Sequence, residues 1–319
     1  MNSTTSRFSR RAFLRTTTGG AAAALATAAA TGGGAGAGHA RAAEPARGGT
    51  PGGGAAEGFR IFACDWTLQK TCNPEAFAVA KRIGLDGVQV DFGRLKAGET
   101  RLPLFDPAQQ DRIMAAAQES GVAIASLALG VLNTVAYKSE VVTEQWVSDS
   151  IGVMQRMGQR VALLAFFSKG DLVGDAAGTA EVVRRLKRLA PRAEAAGVVF
   201  GIESWLKAPE LEQILDAVKS PSVRVYYDVG NMQKVGEDIG VAIRRLGRER
   251  ICEVHFKDYD DLYGKGSMNF PAVRAALDAA KYRGWVGIEG VKTPLGIEPS
   301  IRYDLDYLRP LFPAKAGRG

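Results

Sequence analysis

From Phe59 onward the chain alternates short, β-rich apolar runs with longer stretches whose apolar residues recur at helical spacing. The apolar runs are Phe59–Cys64, Gly87–Asp91, Val122–Leu127, Val161–Phe166, Val198–Glu203, Val223–Asp228, Ile251–Phe256 and Val286–Glu289. Asn73-Pro74 predicts a helix start, with Asn as cap and Pro at the first helical position, and Asp106-Pro107 predicts another that runs through Gln110–Glu119. Further helices are predicted over Thr143–Arg156, Thr179–Ala195, Pro209–Val218, Ile239–Leu246, Pro271–Tyr282 and Ile301–Leu308. Gly84, Gly121, Gly197 and Gly284 are expected to stop helices just before the next strand. Eight strands, each followed by a helix, predict an α/β fold with the rhythm of a (β/α)8 TIM barrel. A doubly wound open sheet usually carries a glycine-rich phosphate turn after its first strand, and Cys64-Asp65-Trp66-Thr67 has none.

A barrel directs attention to the C-terminal ends of its strands, where such folds keep their chemistry. Four polar residues end the last four apolar runs: Glu203, Asp228, His255 and Glu289, each about one strand-plus-helix unit after the one before. Neighbouring strands of a closed barrel would bring them to one point. Three carboxylates gathered there repel one another and need compensation. A divalent cation supplies it, with the imidazole as fourth ligand; three oxygens and one nitrogen suit Mn²⁺ first, and also Co²⁺, Mg²⁺ or Zn²⁺. Read singly, each carboxylate also fits a helix cap or an ion pair.

The N-terminus has a different composition. Residues 1–42 hold Arg7, Arg10, Arg11, Arg15 and Arg41 and no acidic residue. Ser9-Arg10-Arg11-Ala12-Phe13-Leu14-Arg15 leads into an Ala/Gly/Thr stretch and then Ala40-Arg41-Ala42, the charged, apolar and small-residue regions of a signal peptide. The paired arginines followed by Phe-Leu resemble the twin-arginine export signal, which implies the twin-arginine export machinery as partner and a periplasmic or extracellular location. The stretch is too rich in Gly and Thr for a stable membrane span. Residues 43–58 read as a Gly/Pro-rich flexible leader, and 59–319 as one domain. Without the five N-terminal arginines, 36 basic residues face 34 acidic ones. No nucleic-acid footprint remains. Cys64, Cys72 and Cys252 lack metal-finger spacing, and a Cys64–Cys72 pair and free buried thiols are both open.

Gly-Ile-Glu203, Tyr-Asp228-Val-Gly-Asn231, Val-His255-Phe-Lys257-Asp258 and Gly-Ile-Glu289 resemble the metal-binding signatures of the xylose-isomerase-like barrels. The resemblance is to the branch of sugar isomerases and epimerases, including ketose 3-epimerases and L-ribulose-5-phosphate 3-epimerase-like enzymes. Gly264–Phe270 is similar to that family's glycine-flanked segment, and Leu85–Val90 to its second-strand entry. The resemblance spans about residues 59–310. It implies one divalent metal held by Glu203, Asp228, His255 and Glu289. Glu203 and Glu289 would be the catalytic pair that removes and returns a proton beside a carbonyl through an enediolate. It also implies the oligomers common among such barrels. Asn231 stands where many members have histidine, and hydrogen-bonds without titrating near neutrality. Asn231, Lys257, Lys265, Trp66 and Trp205 are the candidate contacts to substrate, with Phe92, Phe166 and Phe167 as further aromatic walls.

Export favours a non-phosphorylated carbohydrate, because sugar phosphates are mainly intracellular. The same proton abstraction on a 3-oxo-glycoside would eliminate the aglycone, making the protein a lyase. A non-catalytic sugar-binding barrel is the reading from another class. A multi-metal phosphodiesterase or nuclease requires many histidines, and His255 is the only one after His39.

Overall fold

Strict alternation along each strand decides which side chains enter the barrel and which face the helices. The computed structural model describes residues 58–314 apart from 97 and 291. Its elements run β1 (Phe59–Cys64), α1 (Glu75–Ile83), β2 (Gly87–Asp91), α2 (Pro107–Ser120), β3 (Ala123–Leu129), α3 (Val141–Arg156), β4 (Val161–Phe166) and α4 (Ala176–Ala196). They continue with β5 (Val199–Ser204), α5 (Ala208–Val218), β6 (Val223–Asp228), α6 (Val229–Lys234), α7 (Ile239–Arg250), β7 (Ile251–Phe256), α8 (Phe270–Ala279), β8 (Gly284–Ile288) and α9 (Ile297–Leu311). The strands form a closed barrel in chain order, with β8 pairing parallel to β1. This is the (β/α)8 TIM barrel expected from the periodicity.

Two buried layers follow from the alternation. Ile61, Ala63, Val88, Val90, Phe200, Ile202, Val254 and Phe256 pack outward in the large core under the helices. Phe62, Cys64, Leu163, Ala165 and Tyr226 form a smaller cluster inside the barrel. Phe92 and Phe166 belong to the outer core and are fully buried, so neither is a wall of the mouth.

Local chemistry sets the helix ends. The Asn73 side-chain oxygen accepts from the Glu75 N–H at 2.9 Å, although Pro74, expected as the first helical residue, stands at the N-cap of α1; the Asp106 side chain accepts from Ala108. Gly84, Gly121 and Gly197 take the left-handed conformation that closes α1, α2 and α4. Gly284 does not: α8 ends at Ala279, Lys281 takes the left-handed turn with φ 55°, and Gly284 opens β8. The expected helix over Pro271–Tyr282 is therefore shorter. Helix α6 was not expected; the Asp228 side chain caps it by accepting from the Asn231 N–H. The expected export signal and the leader lie outside the described residues, Gly58 excepted. Among the described residues, no helix is long and apolar enough to cross a membrane.

Gly287 marks the tightest point beneath the mouth. A Cβ at this position would overlap the Phe62 ring, and the ring is wholly buried. Overpacking of this kind destabilises by about 1–3 kcal/mol. Gly287→Ala is expected to lose that much stability in urea denaturation; an unchanged unfolding midpoint would contradict the packing described.

Candidate metal centre

Glu203 lies in β5, Asp228 ends β6, His255 lies in β7 and Glu289 follows β8 directly. Asp228 and His255 are register partners across β6 and β7, and His255 pairs with Gly287 across β7 and β8. The inward phase of each strand end sends all four side chains to the mouth, where one ligand atom from each lies within 4.8 Å of the others. Glu203, Asp228 and His255 are buried, and the Glu289 side chain is 14% exposed.

Each group is held from more than one side. His255 Nδ1 lies 3.0 Å from Glu203 Oε1, and Nε2 lies 2.9 Å from Gln89 Oε1. The Trp66 indole N–H donates to Glu289 Oε1 at 3.1 Å. Asp228 Oδ1 accepts from the Asn231 N–H at 2.8 Å. Lys257 is 8% exposed, and its ammonium lies 3.2 Å from Asp228 Oδ2, beside Glu289 Oε2, and 3.4 Å from Asn231 Oδ1. The Tyr259 hydroxyl donates to Asn231 Oδ1 at 2.5 Å.

These charges shift one another. Burial pushes the Asp228 carboxyl up to about 7; Lys257 opposes that rise, while Glu289 and Glu203 add to it. Burial also works against ionised Glu289, but Lys257 and then His255 leave its pKa below the ordinary carboxylate value. Burial alone would lower the pKa of His255, and the Glu203 carboxylate turns the shift upward. Lys257 loses hydration by burial, yet Asp228, Glu289 and Glu203 hold its pKa well above the usual lysine value.

Three carboxylates and one imidazole are a donor set that fits a divalent cation. Asp228 Oδ2 and Glu289 Oε2 support the fit. Both are buried, and among the described residues the Lys257 ammonium is the one donor beside either oxygen.

The expected substrate contacts divide. Trp66, Asn231 and Lys257 touch the cluster. Trp205 stands apart, edge-on to Phe167 with ring centroids 5.2 Å apart and the Lys234 ammonium 5.2 Å from its own ring. Both aromatics are half-buried, so they remain surfaces against which a ligand can pack. Lys265 makes no contact with the cluster among the described residues. It is exposed, with its ammonium 4.6 Å from the Tyr303 ring on α9. Asp258 explains why: its carboxylate accepts from the Asp260 and Met268 N–H groups and folds the glycine loop so that Gly264 packs on Tyr307.

Sequence reasoning missed Gln89, Tyr226, Ser126 and Glu253, which lie inside the barrel. Their signal was a polar residue at an inward strand position. It also missed the acid pair Asp65 and Asp91. Asp65 Oδ2 accepts from the Cys72 and Asp91 N–H groups, and the Asp91 carboxylate accepts from Gly93 and Gly130. Burial, then the neighbouring Asp91, puts the Asp65 pKa well above normal; burial raises that of Asp91 to about 6. The three cysteines are free. Cys64 points into the barrel, with Sγ 3.2 Å from Gln89 Oε1.

The family model described as xylose isomerase-like TIM barrel matches residues 77–311. The 2-epi-5-epi-valiolone 7-phosphate 2-epimerase of an Actinoplanes species is 27% identical over 201 residues, covering 62% of this chain and 72% of that protein. The putative L-ribulose-5-phosphate 3-epimerase SgbU of Escherichia coli is 26% identical over 244 residues, 68% of this chain and 82% of that protein. Among solved structures, D-psicose 3-epimerase from Clostridium cellulolyticum H10 shares the fold with a TM-score of 0.66 at 15% identity, covering 79% of this chain and 99% of the other.

Lys257 holds a buried, concentrated negative charge together, and removing one partner of such a pair costs about 3–5 kcal/mol. After dialysis against chelator, Lys257→Met is expected to lose stability of that order in urea denaturation. Wild-type stability in this variant would mean that the ammonium does not compensate the carboxylates.

Proposed function

The chain belongs to the xylose isomerase-like TIM barrel family, and from that premise we propose that it is a sugar isomerase or epimerase moving a proton at the carbon beside a carbonyl, with one divalent metal ion as cofactor. The observation that carries this reading is the convergence of Glu203, Asp228, His255 and Glu289 at the mouths of consecutive strands. The two curated relatives, both named as epimerases of phosphorylated compounds, support the reaction class.

In this reading the four residues hold the ion, which supplies the electrophile that stabilises negative charge on the substrate carbonyl oxygen and its neighbouring hydroxyl. Glu203 and Glu289 also act on protons. One removes the proton from the carbon beside the carbonyl, and the other returns a proton to the opposite face. The indole of Trp66 and the ammonium of Lys257 keep Glu289 ionised and aimed, and His255 holds Glu203. Asp228 fixes the start of α6, which places Asn231 and its amide at the mouth, where the amide can hydrogen-bond a sugar hydroxyl. Mn²⁺ is the ion proposed.

The substrate proposed is a non-phosphorylated carbohydrate met outside the cytoplasm. The support is the Arg10-Arg11 signal-like segment in a chain otherwise nearly balanced in charge.

Sugars incubated with the enzyme in heavy water are expected to gain deuterium beside the carbonyl, and chelator is expected to stop the exchange. Glu203→Gln and Glu289→Gln should each lower turnover by about 10²–10⁴-fold while leaving the melting curve cooperative. Wild-type exchange in either variant would remove that glutamate from proton transfer. Faster turnover of sugar phosphates than of free sugars would overturn the substrate reading alone.

A further inference from the structure

Below the four converging residues lies a second polar layer that the proposed reaction does not use. Gln89 of β2, Ser126 of β3, Tyr226 of β6 and Glu253 of β7 are 0%, 0%, 1% and 3% exposed. Glu253 precedes His255 by two residues and Tyr226 precedes Asp228 by two, so each faces the same interior one step deeper.

Hydrogen-bond direction through this layer is fixed from its far end. Glu253 Oε2 accepts from the Tyr226 hydroxyl and from the Ser126 hydroxyl, both at 2.7 Å. A hydroxyl has one proton, so both are now committed to the carboxylate. Gln89 Nε2 lies 2.9 Å from the Tyr226 oxygen and 3.1 Å from the Ser126 oxygen, and donates to both. Its carbonyl oxygen therefore faces His255 Nε2 at 2.9 Å and the Cys64 thiol at 3.2 Å. Turned the other way, the amide would ask each hydroxyl to donate twice. The network, rather than the shape of the side chain, sets the amide orientation. An acceptor therefore faces Nε2.

We propose that Gln89 is a positioning residue: locked by Ser126, Tyr226 and Glu253, it keeps a proton on His255 Nε2 and so commits Nδ1, the nitrogen facing Glu203, to the divalent ion. The clause about the ion rests on the function proposed above; the Nε2 proton is a property of the metal-free protein. A partner on one ring nitrogen selects what the other can bind, and loss of such a partner typically weakens metal binding about 10–100-fold.

The experiment uses full-length protein with ¹⁵N-labelled histidine, freed of metal, and reads the ring by long-range ¹H–¹⁵N spectra. His39→Gln separates the signals of the two histidines. Mn²⁺ affinity is measured in parallel by calorimetry. Wild-type His255 is expected to show a protonated Nε2 whose proton exchanges slowly. Gln89→Leu should lose that protection and bind Mn²⁺ about 10–100-fold more weakly. Glu253→Gln frees the Gln89 amide to turn and should also weaken binding.

Adding Gln89→Glu to Glu253→Gln exchanges carboxylate and amide across the layer. The new amide donates to both hydroxyl oxygens, their protons go to the carboxylate at position 89, and that carboxylate still accepts from Nε2. The double variant should regain the protected proton and the affinity lost in Glu253→Gln, a rescue that packing alone does not give. It also decides the matter if Gln89→Leu does not fold. The proposal is overturned by a bare Nε2 in the wild type, by unchanged protection and affinity in Gln89→Leu, or by a double variant no better than Glu253→Gln. A protected Nε2 proton in a wild type that binds no Mn²⁺ would overturn the clause about the ion, and the metal-dependent function with it, while leaving the positioning of the ring in place.

Discussion

Everything at the mouth of this barrel answers to the mutual repulsion of Glu203, Asp228 and Glu289. Ionised carboxylates this close and this buried are held in place only where cations or donors offset them. The chain supplies two offsets from one strand end, His255 and Lys257, which share a face because they are two residues apart. The offset is incomplete. Asp228 still ionises only near neutrality, and among the described residues two buried carboxylate oxygens share a single ammonium as their one donor. A site of this kind retains an electrostatic demand that a doubly charged ion matches in sign and in donor preference.

Barrel closure makes that concentration of charge possible. Strands β5 to β8 are neighbours in chain order, and register places Asp228 against His255. The outer core between sheet and helices holds the strand ends rigid. Inside, Phe62 fills the space that Gly287 leaves, so the barrel interior beneath the site is packed there. A rigid scaffold bearing polar strand ends lets loops vary the substrate while the charged cluster stays fixed.

The period-two and helical patterns made the barrel legible in the sequence, along with the strand-end positions of all four cluster residues, because both depend on local spacing. Lys257 was legible as a cation near His255, but not as a buried one. Its burial follows from strand phase carried two residues past the strand, which composition does not reveal. Lys265 was legible as a cation after His255, but not its place beside Tyr303, because that depends on the Asp258 carboxylate folding the glycine loop onto α9. Gly284 misled because a glycine before a strand resembles a helix stop, and here the left-handed turn falls on Lys281. Gln89 and Tyr226 were overlooked because their strands count as apolar overall; only the inward phase gives their polarity meaning.

That inward phase also explains why an amide, rather than a carboxylate, sits against His255. A carboxylate directly on Nε2 would orient the ring equally well, but it would add a fourth negative charge next to three that already repel. Gln89 gives the imidazole an acceptor without a charge. The carboxylate that fixes the amide, Glu253, lies one layer deeper, with two hydroxyls between it and the amide. Direction is thus transmitted to the ring through neutral groups, and the carboxyl that sets it is kept away from the mouth. Two layers of one barrel interior divide the work: the upper layer gathers the charge at the mouth, and the lower layer sets which acceptor faces His255 Nε2.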